Sequence, residues 1–296
     1  MSGRPLLTFA IPFYRNVEYL RRTIESVRAQ NTRDWLVLVC DDAGPEPEAA
    51  ELVGSYGDER LMYARNPANL GLAGNWNRCL ELATTELVTL LHADDELLPG
   101  YADVVTRAHA DFHDTIAVYP RAKVIGADGR DVFSLPDLAK RVIEPRSTRV
   151  VLRGESGLRT LMRGQTVFCP SLCYRRSLLR DQPFSARWSQ VLDLEFLSNS
   201  LLDGHQLVGL REVEYAYRRH AASQTAELTQ SLVRFREELA LFDEVAERAA
   251  AKGWHRAAKT ARRKMIVRLH LGYRAAIDVA RGRGQSALAE LRLACQ

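Results

Sequence analysis

Residues 87–100 read LVTLLHADDELLPG, and the change of character inside this stretch decides how the chain folds. Leu87–Leu91 is a short apolar run, the composition of a strand buried on both faces. It stops in His92-Ala93-Asp94-Asp95-Glu96. Three consecutive acids at a strand end repel one another and lose water, so the position must offer them a partner. The same pattern recurs upstream: WLVLVC, residues 35–40, is a second apolar run that ends in Asp41-Asp42. LLTFAIP, residues 6–12, predicts a first strand ended by Pro12, and LMYA, residues 61–64, a short third one. Helical stretches separate them. Val17, Leu20, Ile24 and Val27 recur at helical spacing, PEAAELVGSYG (47–57) ends at Gly57, and GNWNRCLELAT (74–84) precedes the fourth strand. Alternating strands and helices predict a mostly parallel α/β sheet with helices on both faces. Such sheets bind ligands beyond the carboxyl ends of their strands, so both acid pairs are expected on one rim.

The middle of the chain is less regular. Residues 117–133 predict a strand pair turned by Gly126-Ala-Asp-Gly129, 157–164 a short helix, and 166–176 a strand with Pro170 at an edge or bulge. LDLEFLSNSLLDG, residues 192–204, predicts a helix capped by Gly204, and residues 205–220 a strand closing the first domain near His220. Beyond Thr225, Leu228, Leu232, Phe235, Leu239, Phe242 and Ala246 mark an amphipathic helix ending at Gly253, and a second helical stretch is expected from about Trp254 to Val279. The expected organisation is a domain over residues 1–223, with halves of about 1–120 and 121–223, and a helical basic region over 224–296.

Composition narrows the class. The 46% apolar fraction of the 296 residues suffices for a sizeable core. No apolar run reaches about 18 residues, and the start is too soon interrupted by Pro12 for a signal peptide. The five cysteines are odd in number and lack zinc-ligand spacing, which points to reduced thiols and a cytoplasmic protein. IPFYRNVEYL, after the first strand, contains no glycine, which argues against a dinucleotide fold, a P-loop and a sugar-phosphate nucleotidylyltransferase. Carboxylates at a strand end with no glycine cradle suit a hard cation shared with a phosphate, Mg²⁺ or Mn²⁺. Their alternative role is to cap the following helix in solvent.

FAIPFYRNVEYLRRTIESVRAQ, VLVCDDAG and NLGLAGNWNRCLELATTELVTLLHADDELLPG together resemble family 2 glycosyltransferases of the GT-A fold, over about Leu6–His220. The resemblance implies inverting transfer of a sugar from a nucleotide-diphosphate sugar, UDP-sugars being commonest, to a hydroxyl acceptor in polysaccharide, glycolipid or glycoconjugate biosynthesis. It implies that Asp41 or Asp42, with Asp42 favoured, recognises the base and ribose, and that Pro12 and Tyr14 wall the base pocket. The family's Asp-x-Asp motif reads His92-Ala93-Asp94 here, a departure at its first position. Asp94 matches the acid bound to the metal; Asp95 is a second ligand or a helix cap. Asn69 and Arg78 match positions near the donor. Arg218 and His220, in the terminal Arg-x-His-like segment, match groups at the diphosphate or metal. The general base is expected about eleven residues before a glycine, which is Asp193 before Gly204, with Leu192 standing where the family has Glu. Asp193 and Glu195 lie two apart and face away from each other on a helix, so only one can serve. Asp193 shares its face with Phe196 and Leu197 and is the expected base. Glu195 is the alternative, expected in solvent. Trp188 is placed for an acceptor sugar, and Trp35 and Trp76 in the core. His92 and Leu192 also leave open a sugar-nucleotide or glycan binding protein without catalysis.

Ten lysines and arginines against one acid make residues 252–283 +9, leaving −5 for the rest of a chain of net charge +4. Lys252, Arg256, Lys259 and Arg263 share one helical face, and Met265, Leu269, Tyr273 and Ile277 form a stripe. These residues form a solvated basic face or a peripheral contact with anionic membrane. A homodimer through the Leu228–Ala246 helix is a further alternative. Nothing resembles a module that reads nucleic acid.

Overall fold

The computed structural model describes residues 6–132, 149–164, 167–219 and 229–296. The chain forms two compact units. The first takes in Met1–Val151, Val167–Ala186 and His205–His220; the second takes in Leu152–Thr166, Arg187–Gly204 and Ala221–Gln296. The units interleave along the chain, whereas the expected boundary near residue 223 cuts it once.

The first unit is built on a nine-stranded sheet: β1 (Leu7–Phe13), β2 (Trp35–Asp41), β3 (Leu61–Arg65), β4 (Leu87–Leu90), β5 (Glu96–Leu97), β6 (Thr115–Ile125), β7 (Arg149–Leu152), β8 (Cys173–Arg175) and β9 (Gln206–Arg218). Its order is β3-β2-β1-β4-β8-β6-β9-β5, with β7 also on β9. The strands β3, β2, β1 and β4 run parallel, β8 is antiparallel to both neighbours, and β6 and β9 are parallel to each other. Pro12 does not end β1. It pairs in register with Cys40 of β2, and the pairing of β1 with β4 stops at Ala10, before Pro12.

Among the described residues four helices accompany these strands: α1 (Val17–Arg28), α2 (Glu48–Ser55), α3 (Gly71–Leu82) and α4 (Tyr101–Asp111). Side chains alternate across a strand, and the two faces of β1 show it. Leu7, Phe9, Ile11 and Phe13 join Leu20, Ile24 and Val27 of α1 and Leu52 and Val53 of α2 in one buried cluster. Thr8 faces the other way and shares a 2.7 Å hydrogen bond with Thr85. Trp35 and Trp76 are both buried, as expected.

The hairpin turned by Gly126–Gly129 forms, with Ile125 bridged to Asp131. The segment around Pro170 is a 3₁₀ turn, Cys169–Ser171, before β8, because proline lacks the N–H a ladder needs.

The second unit is helical: α5 (Gly154–Arg163), α6 (Leu192–Leu202), α7 (Val233–Ala251), α8 (His255–Arg263), α9 (Met265–Ala280) and α10 (Gly284–Ala294). The single helix expected over 254–279 is two, broken where Lys264 adopts a left-handed conformation (φ 49°). Its ammonium is held by Asp243 of α7 at 2.8 Å. No helix of the described residues is long and apolar enough to cross a membrane. Cys40, Cys79, Cys169 and Cys173 are buried free thiols, and Cys295 is exposed.

Candidate functional site

The parallel register aligns the strand ends. Phe13 lies beside Asp41, and Ala10 beside Leu90, so the acids after β2 and β4 flank the end of β1 on one rim, as the sequence predicted. What each acid does there differs.

Asp41 is fully buried and turned inward. Its Oδ1 accepts the Gly44 N–H at 2.7 Å, and its Oδ2 accepts from the Tyr63 hydroxyl and the Arg65 guanidinium. Asp41 therefore shapes the loop. Gly44 is forced by that shape: a Cβ there would lie 1.9 Å from the backbone oxygen of Tyr14. Asp42 uses one oxygen only. Its Oδ1 accepts the Asn66 amide at 2.9 Å and the Leu70 N–H at 2.8 Å, and among the described residues nothing donates to Oδ2. Tyr14 is exposed and Pro12 half-buried beside it. Asn69 lies in an exposed turn and accepts the Gly71 N–H at 2.8 Å. Arg78 pairs with Glu81 on the surface of α3 at 2.8 Å.

The acids after β4 divide in the same way. Asp95 is fully buried and anchors β9: Tyr215 donates its hydroxyl to Oδ2 and Arg218 its N–H to Oδ1, both at 2.8 Å. Burial, with the charge of Asp94 beside it, pushes the Asp95 carboxyl well above the usual carboxylate range. Glu96 pairs with the Arg218 guanidinium. Three other guanidinium hydrogens go to the carbonyls of Asp94 (2.7 Å), Gly126 (2.9 Å) and Ala127 (3.2 Å). Arg218 is 1% exposed, so it is a clamp under the acidic turn; its placement at the diphosphate is corrected by this burial. His220 lies outside the described residues.

His92, Ala93 and Asp94 are the half-buried members of the turn. The His92 ring lies 5.5 Å from that of Trp76, and its Nδ1 is 3.8 Å from Asp95 Oδ2. Ligand atoms of His92, Asp94 and Asp95 all lie within 4.8 Å of one another. Two donors at about 2.1 Å from one ion are at most about 4.2 Å apart, so small side-chain adjustments would let one cation reach this set. One imidazole and two carboxylates fit Mn²⁺ better than Mg²⁺, which prefers oxygen alone.

In the second unit, Asp193 sits half-buried in the first turn of α6, where its Oδ1 accepts the Leu194 N–H at 2.6 Å. Phe196 and Leu197 are buried. Glu195, expected in solvent, is instead 7% exposed and paired with Arg187 at 2.8 Å. Arg187 also pairs with Glu244 of α7 and lies over the Trp188 ring at 4.4 Å. A buried acid needs such a partner, and the sequence hid it on a loop eight residues upstream. Trp188 is half-buried, and among the described residues its Nε1 has no partner. Glu238 of α7 has its carboxyl raised by burial, with the charge of Asp193 adding to the effect.

Sequence reading missed Tyr63, Arg65, Asn66 and Tyr215, and gave Glu96 no role of its own. The first three were legible in principle, because they end or follow a third parallel strand whose carboxyl end shares the rim. Tyr215 shows only in three dimensions, since 120 residues separate it from Asp95.

Residues 8–181 match the family model of glycosyl transferase family 2, and the chain belongs to that family. MT1568 of Mycobacterium tuberculosis, an uncharacterized protein, is 34% identical over 120 residues, 40% of this chain and 37% of that protein. A Campylobacter jejuni GalNAc(5)-diNAcBac-PP-undecaprenol β-1,3-glucosyltransferase is 32% identical over 98 residues, 32% of each chain. The match thus spans about a third of the length of these curated relatives. Among solved structures, S. aureus TarS 1–349 in complex with UDP-GlcNAc superposes with a TM-score of 0.62 at 17% identity, over 82% of this chain and 66% of that one, which establishes the GT-A fold.

Proposed function

We propose that this protein transfers a sugar, with inversion, from a UDP-sugar to a hydroxyl acceptor in polysaccharide, glycolipid or glycoconjugate assembly. The observation that carries the reading is that Asp42 and Asp94 follow neighbouring strand ends on one rim of parallel strands, Asp42 buried but with Oδ2 given no donor among the described residues and Asp94 half-buried, each beside an acid that fixes its loop. The family supports the reaction class, and the TarS complex contains a UDP-sugar.

In this reading Asp42 Oδ2 accepts from the base or ribose, against a wall formed by Pro12 and Tyr14. Asn69 and Arg78 border the donor. Asp94 and His92 would hold a divalent cation, with Asp95 behind them. Bound there, that ion would neutralise the charge growing on the departing diphosphate. The acceptor oxygen forms a bond to the anomeric carbon as the bond to the diphosphate oxygen breaks. Asp193 takes the acceptor proton, and Trp188 offers a stacking face for an acceptor sugar. Glu195, tied to Arg187, serves as a support. The buried thiols fit a reducing, cytoplasmic setting.

The test is turnover of a UDP-sugar panel by the wild type, Asp193→Asn and Glu195→Gln. The account expects UDP release from one sugar, reduced at least a hundredfold in Asp193→Asn, the scale of general base catalysis. His92 in place of an acid favours one alternative, a sugar-nucleotide binding protein. Tight UDP-sugar binding with no release, unaltered by Asp193→Asn, would establish it.

A further inference from the structure

Among the described residues nothing covers the outward face of α9. Met265, Ile266, Leu269, Tyr273 and Val279 are 41–63% exposed, while the opposite face, Val267, Leu271, Ala275 and Asp278, is buried. Ala276 and Ala280 complete the outer face, and it carries no charged residue. A run of large apolar side chains on one helical face is a contact surface waiting for a partner.

The charges around it say which partner. From Lys252 to the end of the chain there are eleven lysines and arginines and two acids, Asp278 and Glu290. Both acids are buried, Asp278 paired with Arg283 and Glu290 with Arg274 at 2.8 Å. The exposed side chains of this region therefore present no carboxylate at all. Exposed Arg262 and Arg263 precede the apolar face, and exposed Arg281 follows it. A second copy of the chain would bring the same positive charges together, which opposes pairing of like faces. An anionic lipid surface takes both features: its acyl boundary receives the apolar side chains, and its headgroups the arginines.

We propose that α9 lies in the plane of an anionic membrane surface, with Leu269 and Tyr273 inserted and Arg262, Arg263 and Arg281 on the headgroups. This assignment is independent of the transfer reaction. The test is sedimentation of the full chain with vesicles of phosphatidylcholine alone or mixed with phosphatidylglycerol, at low and high salt, with sedimentation equilibrium of the protein by itself. The account expects binding only to the anionic vesicles, weakened by salt and abolished by Leu269→Glu with Tyr273→Glu. Arg262→Gln with Arg263→Gln should weaken it roughly fivefold per arginine removed. These positions are exposed, so the variants keep the wild-type fold, which circular dichroism checks. The proposal is overturned if the protein ignores anionic vesicles or if neither variant changes binding. It is equally overturned if Leu269→Glu dissolves a concentration-dependent dimer, which would make the occupant a second copy.

Discussion

At the scale of single residues, adjacent acids have separate tasks. Asp41 and Asp42 differ by one position and are both buried, but Asp41 accepts with both oxygens whereas Asp42, just past the end of β2, accepts with Oδ1 alone among the described residues. Their conservative variants should therefore fail in different assays. Asp41→Asn leaves Tyr63, Arg65 and the Gly44 N–H competing for a weaker acceptor and should cost about 1–3 kcal/mol in urea unfolding. Asp42→Asn retains an acceptor for Asn66 and Leu70 and should unfold like the wild type, yet lose at least tenfold in UDP affinity by calorimetry. Equal loss of affinity in both variants would remove the distinction. Gly44→Ala places a methyl group 1.9 Å from a backbone oxygen, so it should lower both stability and UDP affinity. Tyr14→Ala, at an exposed position, should lower only the second.

At the scale of elements, the carboxyl ends of β2 and β4 are fixed by contacts distant in sequence. Glu46, on the loop after β2, accepts the backbone N–H groups of Asn16 (2.9 Å) and Val17 (2.8 Å) and so caps α1 from 30 residues away. Helix N-terminal donors left without a partner cost about 1 kcal/mol, and Glu46→Ala should lose that much in thermal or urea unfolding. An unchanged midpoint would mean that water replaces the cap. The β4 turn is held from the far side of the sheet by Tyr215 and Arg218 of β9. The elements themselves were legible because apolar runs and helical spacing are local signals. The partners of the acids were not, because a sequence shows the unpaired charge and not the strand that folds over to meet it. Asp95 illustrates this: its adjacency to Asp94 suggests a second ligand, and its burial makes it first an anchor. Glu195 repeats the lesson, since an acid in a helix reads as solvated until Arg187 is seen beside it.

At the scale of the whole molecule, stability responds to pH through His109. Burial lowers its pKa from 6.5 to about 4, although a hydrogen bond to the Cys173 carbonyl at 3.0 Å favours the proton. Arg175, whose Nη2 lies 3.5 Å from His109 Nδ1, adds to the lowering. The native state thus binds fewer protons than the unfolded chain between pH 6.5 and about 4. Stability is complete above that window and falls as pH drops through it, by up to about 3 kcal/mol. His109→Gln should flatten this part of the stability profile, measured by urea unfolding at stepped pH. An unaltered slope would assign it to other groups. The charge asymmetry of the chain, by contrast, was legible from its composition, because a count of arginines needs no fold. Which face of the C-terminal helices stays apolar needed the break at Lys264, which composition does not show.

The central claim is that the rim from Asp42 to Asp94 holds a nucleoside diphosphate with a divalent cation. It is tested most directly by thermal unfolding of the wild type and Asp94→Ala with UDP, each with Mn²⁺ and with EDTA. Ligand at a hundredfold its dissociation constant adds about 2.7 kcal/mol to the native state. The account predicts a clear upward shift for the wild type with UDP and Mn²⁺, lost in EDTA and lost in Asp94→Ala. A shift that persists in both would contradict the assignment of Asp94 to the cation, and no shift under any condition would contradict the site itself.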